Sequence, residues 1–325
     1  MRQVSLNPAQ IPVFIKKTTF AGPLTMNTFL AAFFYYLILL PVSALPYRVL
    51  YGLSDVLFFV FYRLLPYRKK VVRGNICNSF PDRSPLEQEA IVREFYRHLC
   101  DLIVESIKVF TIKADQVDQR MHFRNPEVIN RFFDEGRSVV LVGGHLNNWE
   151  LFAVGIARAV KHHPIAIYKP LSNRFFDSKM RQTRGKFGLE MVSIFDVKAT
   201  FEKYINEPVL TIFGADQSPG KAAKAYWMEF LHQDTAVLFG TEAYANRYNH
   251  VVVYGCIHKI RRGYYETEFK VLFENPSAEP HGKVTEVHTR QLEQDIRLEP
   301  QHWLWSHRRW KHKRPANVDT GAALS

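Results

Sequence analysis

The stretch Ser138-Val-Val-Leu-Val-Gly-Gly-His145-Leu-Asn-Asn-Trp-Glu150 decides how this chain is read. Its apolar opening, Ser138–Val142, predicts a buried strand, and Gly143-Gly144 follows at the strand's carboxyl end. Two asparagines, Asn147 and Asn148, are suited to cap a helix that begins near Trp149. Strand, glycine turn and helix start make one α/β unit. In open α/β sheets, ligands bind at the carboxyl ends of the strands, so His145 stands where sites are built.

Working outward, short apolar runs alternate with helical ones. Strands are expected at Ile165–Tyr168, Met191–Ile194 and Val209–Phe213, with helices at Leu151–Val160 and Phe175–Phe187 between them. A helix from Ser84 to Phe110 precedes the alternation, with Pro85 at its start. A hairpin, His250–His258 with Tyr264–Phe273 around Arg261-Arg262-Gly263, and a helix from Thr285 to Ile296 follow it. The fold class is therefore α/β, an αβα layered domain over residues 67–317.

Upstream, no charged residue occurs from Thr18 to Tyr47, and Phe29–Ala44 is nearly all apolar. A second apolar run, Val49–Tyr62, carries only Asp55, and Arg63, Arg68, Lys69, Lys70 and Arg73 follow. A spanning helix takes about 20 apolar residues. Residues 26–66 thus predict an N-terminal membrane-anchoring helix, either one span or a hairpin, with the basic cluster on the cytoplasmic side. Buried helices of a soluble protein would show the same runs. A cleaved signal peptide fits poorly, because the apolar region starts late. Residues 1–25 read as a tail, and Met26 as a possible start of a shorter chain. Residues 318–325 read as a second tail.

The chain has 325 residues, a formal net charge of +12, and three widely spaced cysteines, Cys77, Cys100 and Cys256. The charge favours anionic partners: lipid head groups, an acidic carrier protein, or nucleic acid. Three such cysteines make neither a CxxC metal site nor a disulfide framework, which points to a reducing compartment. There is no HExxH motif and the thirteen histidines are scattered, so no metal is expected.

His145 and Glu150 suit a shared task. Glu150, in the first turn of the helix, is placed to reach back and hold one imidazole nitrogen. An imidazole so oriented takes a proton from a hydroxyl as a general base. GxSxG is absent, so the attacking oxygen would belong to the substrate. Backbone N–H groups near Gly144 and the helix start would receive the oxyanion. A lone histidine at a strand end also serves as a hydrogen-bonded structural residue, and the spacing alone leaves both readings open.

Gly143-Gly-His-Leu-Asn-Asn-Trp-Glu150 resembles the H-x4-D/E motif of the lysophospholipid acyltransferase superfamily, in the branch of bacterial lipid A late acyltransferases. Four further blocks share the resemblance in order: Arg73-Gly-Asn-Ile-Cys-Asn-Ser-Phe-Pro81, Tyr168-Lys-Pro-Leu-Ser-Asn173, Gly214-Ala-Asp-Gln217, and Trp303-Leu-Trp-Ser-His-Arg-Arg-Trp-Lys311 with Arg314-Pro315. The resemblance implies that His145 and Glu150 are catalytic. It implies Arg181, Arg184, Asp216, Asn148 and Lys169 as substrate-binding positions. One of the arginines would bind phosphate or support the oxyanion, and the spacing does not choose between them. Asp216, at the end of the Val209–Phe213 strand, should face the same crevice.

The family pattern further implies a donor thioester of acyl carrier protein or of CoA and a glycolipid acceptor, a lipid A precursor. It uses no cofactor, and it works at the cytoplasmic face of the bacterial inner membrane. A phosphatidylinositol mannoside or an aminolipid is the alternative acceptor. A non-catalytic membrane-binding module is the alternative from another class. Two departures touch the substrates: Leu146-Asn147 replaces a Gly or Phe-Gly beside the histidine, and Trp227-Met-Glu-Phe-Leu-His-Gln233 replaces the usual PFFG loop. The run His307–Arg314 interleaves basic and aromatic residues. Alone it reads as a nucleic-acid patch. Beside a membrane anchor, anionic lipid or an acidic carrier is the better partner, and no nucleic acid is expected.

Overall fold

A computed structural model describes residues 26–65, 67–222 and 225–315. The expected tails 1–25 and 318–325 lie outside the described residues. The described chain opens with helix α1 (Met26–Phe34), a π-helical stretch (Tyr35–Leu39) and α2 (Leu40–Ala44). Leu45 precedes Pro46 and takes extended backbone, φ −61° and ψ 149°, which ends the helix. Then α3 (Tyr47–Phe59) runs into a second π-helical stretch, Val60–Leu64.

No single described helix is long and apolar enough to cross a membrane. The two runs form a pair, Thr28–Ala44 and Tyr47–Leu64, bent by 117°. Of the two arrangements that the sequence leaves open, one span or a hairpin, the single span has no counterpart among the described helices, because the chain breaks at Leu45-Pro46. Nor does this segment stand apart from the rest. Along α3, Tyr51 donates to Glu105 and Ser54 to Asp101 of α5 (Pro85–Lys108), and Tyr62 beyond it donates to Glu89. Upstream, Thr111 donates to Ser43 O, and the Tyr35 ring packs on Phe110 and Phe175. Each piece therefore has one face on the domain, while Phe29, Leu30, Phe33, Leu37, Val56 and Phe59 remain exposed.

The domain continues with α4 (Lys69–Ser79) ahead of α5, and then α6 (Ala114–Arg120), β1 (Met121–Phe123) and α7 (Glu127–Asp134). β2 (Val139–Gly143), α8 (Trp149–Ala159), β3 (His163–Tyr168), α9 (Arg174–Gly185), β4 (Glu190–Ser193), α10 (Val197–Lys203) and β5 (Val209–Gly214) follow in alternation. A two-stranded unit, β6 (Ala225–Phe230) and β7 (Gln233–Leu238), leads to α11 (Gly240–Tyr248). The hairpin β8 (Val251–Arg261) and β9 (Tyr264–Phe273) and helix α12 (Lys283–Leu298) complete the elements. Helix α5 starts as its sequence predicts: Ser84 caps it, Glu87 returns the bond, and Pro85 occupies the first turn.

Seven strands form the central sheet in the order β1-β9-β8-β2-β5-β3-β4. Its pairs are parallel except β8 with β9. β2 sits in the middle and is buried on both faces, as its unbroken apolar run requires. Val140 and Val142 join the core under α4, α5, α11 and α12. Val139 and Leu141 point the other way, into the core with Ile129 and Phe132 of α7 and Ile156 of α8. Helices on both faces of a mostly parallel sheet make the layered α/β arrangement expected from the sequence.

Candidate active site

The parallel register of β2 and β5 pairs Gly143 with Gly214. Two residues beyond each glycine stand His145 and Asp216, and the register brings them level. The carboxylate of Asp216 takes both available groups of His145: Oδ1 lies 2.6 Å from the ring Nδ1, and Oδ2 accepts the backbone N–H at 2.7 Å. Trp303 Nε1 donates to the same Oδ2 at 2.9 Å. The two strand ends approach closely. A methyl group on Gly214 would stand 3.0 Å from His145 Cε1.

After His145 the chain turns sharply into α8. Asn147 takes the left-handed conformation, φ +57°, which asparagine tolerates better than most residues. Its N–H donates to His302 O and its side-chain amide to Ile257 O. Asn148 caps α8 by accepting from Leu151 N at 2.8 Å. The amide of Asn148 points inward, to the buried carboxyl of Glu105 at 2.6 Å. It is therefore engaged in the fold rather than presented to a substrate. Of the backbone amides between Gly144 and the helix start, those of His145 and Asn147 are likewise committed, to Asp216 and His302.

Glu150 lies in the first turn of α8. Its carboxylate is held in two places by Arg184 of α9, with Nε to Oε2 at 2.9 Å and Nη2 to Oε1 at 2.5 Å. The ring nitrogen nearest a carboxylate is thus engaged by Asp216, and Glu150 bears on the ring by charge. The two arginines left open by spacing are separated by the helix. Arg184 is turned inward onto Glu150, with a side chain 22% exposed, while Arg181 is exposed beside Gln182 and Leu189. Lys169 is exposed on the segment after β3.

The electrostatics of the pair follow from this geometry. Burial opposes a charge on His145, but the charge and hydrogen bond of Asp216 outweigh it, and Glu150 adds to them. The imidazole is held above its ordinary value. Burial also disfavours the Asp216 anion, yet His145 and Trp303 hold that carboxyl well below the usual range. Asp216 is therefore ionised and accepts the Nδ1 proton. That fixes the tautomer and leaves the lone pair on Nε2, where the Gln217 amide nitrogen stands 3.3 Å away. The Trp149 ring meets the imidazole edge-on with centroids 5.1 Å apart. Among the described residues no group of three or more His, Cys, Asp or Glu side chains is arranged to hold a metal ion.

The sequence sets Asp216 at the crevice but carries no sign of its bond to His145, of Gln217 beside the ring, or of Trp303 beside Asp216. Within the basic run His307–Arg314, Arg308, Lys311 and Lys313 are exposed and Arg309 is buried, and the segment just before the run is buried as well. Trp303, Trp305, Ser306 and Arg309 are buried.

The model of the bacterial lipid A biosynthesis acyltransferase family matches residues 17–312. The chain is similar to the lipid A biosynthesis palmitoleoyltransferase of Escherichia coli (strain K12), with 22% identity over 276 residues, 82% of this chain and 86% of that one. A lipid A biosynthesis acyltransferase of Shigella flexneri matches over the same length with the same identity. A histidine held by a carboxylate at the strand ends, with no serine or cysteine hydrogen-bonded to its ring among the described residues, suits enzymes that move acyl groups directly between substrates. With nearly its whole length matched, the chain belongs to the bacterial lipid A biosynthesis acyltransferase family and is an acyltransferase.

Proposed function

We propose that this protein transfers a fatty acyl chain from a thioester donor, carried by acyl carrier protein or CoA, to a hydroxyl of a lipid A precursor. The observation that carries the reading is the Nδ1–Asp216 bond, which turns Nε2 of His145 outward as a base. Nε2 removes the hydroxyl proton while the oxygen attacks the thioester carbonyl. The tetrahedral oxyanion then collapses, the carbon–sulfur bond breaks, and the imidazolium returns the proton to the leaving thiolate. Asp216 keeps the ring oriented and stabilises the imidazolium as it forms.

Glu150 remains in the catalytic set, with Arg184 as its partner. Through that pair the site keeps a guanidinium beside the base, suited to the oxyanion or to a phosphate on either substrate. Arg181 and Lys169 stand further out and add positive charge for the acidic carrier or the phosphorylated acceptor. Asn148 serves by fixing the start of α8.

The acceptor is a membrane lipid, so the enzyme works at a membrane surface. The bent helix pair supports attachment in one leaflet. Both helices are tied to the domain along their length, and their outer faces are apolar. Arg63, Arg68, Lys69 and Lys70 at the end of the pair favour anionic head groups. The cytoplasmic face of the inner membrane fits the thioester donors, and Cys77, Cys100 and Cys256 are all free thiols.

The test is a reconstituted assay with vesicles, a defined acyl thioester of the carrier protein or CoA, and a lipid A precursor, with products read by mass spectrometry. The acceptor should gain one acyl chain, and His145→Ala should abolish the gain. A product that forms equally with His145→Ala overturns the reading.

A further inference from the structure

The C-terminal segment folds over the back of the catalytic pair. Trp303, 2% exposed, forms an isolated bridge with Leu146 and sends its indole N–H to Asp216 Oδ2. Its ring is fixed by Trp305 at 4.7 Å, Phe230 at 5.8 Å and Trp310 at 6.0 Å between centroids. Six residues later Arg309 is buried, 3% exposed, and donates to Ala236 O through Nη1 at 2.7 Å. Its Nε has no hydrogen-bond partner, and no described carboxylate lies within ion-pair distance of it. Arg309 and Asp216 line the same small internal cavity, about 10 Å³, together with His288, whose Nε2 is also unpartnered. Such a cavity holds at most about one water.

A buried guanidinium without a carboxylate in contact is costly to keep. Its nearest compensation is the charge of Asp216 across the cavity. We propose that Trp303 and Arg309 are positioning residues for acyl transfer: Trp303 fixes the carboxylate of Asp216 in the plane that His145 needs, and the buried charge of Arg309 keeps that carboxylate ionised and the resting imidazole neutral. This rests on His145 acting as the base. The other charged or titratable groups facing the pair are Glu150 of α8, Arg184 of α9, Tyr254 of β8, His288 of α12, and His307 of the C-terminal segment.

The signs are fixed by Coulomb's law. A positive charge near His145 opposes the imidazolium, so removing it makes the ring easier to protonate. Arg309→Gln should then move the acid limb of kcat/KM upward by about one pH unit, whereas Arg309→Lys, which retains a charge, should leave the limb near its original place. Trp303→Phe keeps an aromatic filler and removes the N–H, so kcat should fall at least tenfold with KM for the thioester unchanged.

The assay uses full-length protein on vesicles with a defined acyl thioester and a lipid A precursor, with thermal melting as the control for folding. His145→Ala is measured alongside. An active His145→Ala enzyme sinks the proposed function itself. An inactive one, together with an unmoved acid limb in Arg309→Gln or an unchanged kcat in Trp303→Phe, overturns only this inference. Equal limb shifts in Arg309→Gln and Arg309→Lys would also overturn it, because loss of shape and not of charge would then be the cause.

Discussion

Asp216 and His145 are bonded twice, once through the ring and once through the backbone, although 71 residues separate them. The two hydrogen bonds make the carboxylate a support for the loop as well as for the imidazole. Asp216→Asn retains shape but offers an amide with one acceptor oxygen and no charge, and the wrong tautomer of His145 becomes accessible. In enzymes where a carboxylate orients a catalytic histidine, the equivalent change costs ~10⁴-fold in kcat. We expect a loss of at least ~10³-fold here with KM little altered, measured by steady-state acyl transfer. Activity within tenfold of the original would remove Asp216 from the mechanism.

Glu150 and Arg184 form the other ion pair at the site, with side chains 10% and 22% exposed. Removing one partner strands the other in a semi-enclosed place. Breaking a buried pair typically costs ~3–5 kcal/mol, and with this exposure we expect about 2–3 kcal/mol from Arg184→Met in denaturant unfolding. A double-mutant cycle with Glu150→Gln should return a coupling of about 1–3 kcal/mol. Additive effects would mean that the two side chains act separately.

How much of this was legible in advance depends on how local the cause is. β2 and its glycine turn were readable because the apolar run and the paired glycines sit within a dozen residues. The Asp216–His145 bond was not, because it depends on the register of β2 against β5, which nothing in either segment specifies. The β6–β7 unit is hidden in the sequence for a different reason. Leu231 and His232 both have positive φ, +51° and +61°, at a turn that usually announces itself with Asn-Gly. The apolar N-terminal runs read as an anchor because sequence shows hydrophobicity, not which face is already covered. Arg309 illustrates the reverse: a basic residue in a basic run is expected outside, and only the aromatic cluster around it shows why it is inside.

The pH response of activity and of stability should differ in sign. His145 must be neutral to act as base, and its value is raised, so the acid limb of kcat/KM should lie above the ordinary histidine value of about 6.5. For stability, the raised His145 contributes fully below its unfolded value and loses that contribution as pH climbs through its folded value. Asp216, held low, contributes above its unfolded value of about 3.9 and loses the contribution as pH falls through its folded value. Urea unfolding from pH 3 to 9 should therefore show the stabilising effect of the pair greatest between those limits. Asp216→Asn should flatten both flanks. A profile unchanged by that substitution would show that the coupling contributes nothing to folding.

Gly214 isolates geometry from charge. Its added methyl would meet His145 Cε1 at 3.0 Å, so the ring must shift by a few tenths of an ångström. Misplacing a reacting group by about 1 Å can cost ~10²-fold. We expect Gly214→Ala to lower kcat by roughly tenfold while thermal stability stays within a few degrees. Unchanged kcat would mean that the imidazole tolerates displacement and that its bond to Asp216 is not rate-determining.

Phe33 and Leu37 are 53% and 61% exposed on the outer face of the first helical run, one turn apart. If that face enters the leaflet, replacing each by Asp removes about 2 kcal/mol of transfer energy, or about thirtyfold in partitioning apiece. Neither side chain is in the buried core, so the fold and the catalytic geometry should survive. Phe33→Asp with Leu37→Asp should therefore abolish flotation with anionic vesicles. Turnover of a detergent-dispersed acceptor should persist. A spanning helix would give a different result from a helix lying in one leaflet: its midpoint would be shielded from aqueous reagents on both sides. Ala44→Cys, at an exposed position beside the bend and made in a chain whose exposed Cys77 is replaced by Ser, should remain within reach of a small thiol reagent from the cytoplasmic side if the pair lies in one leaflet. Protection of that position from both sides would exclude the in-plane arrangement.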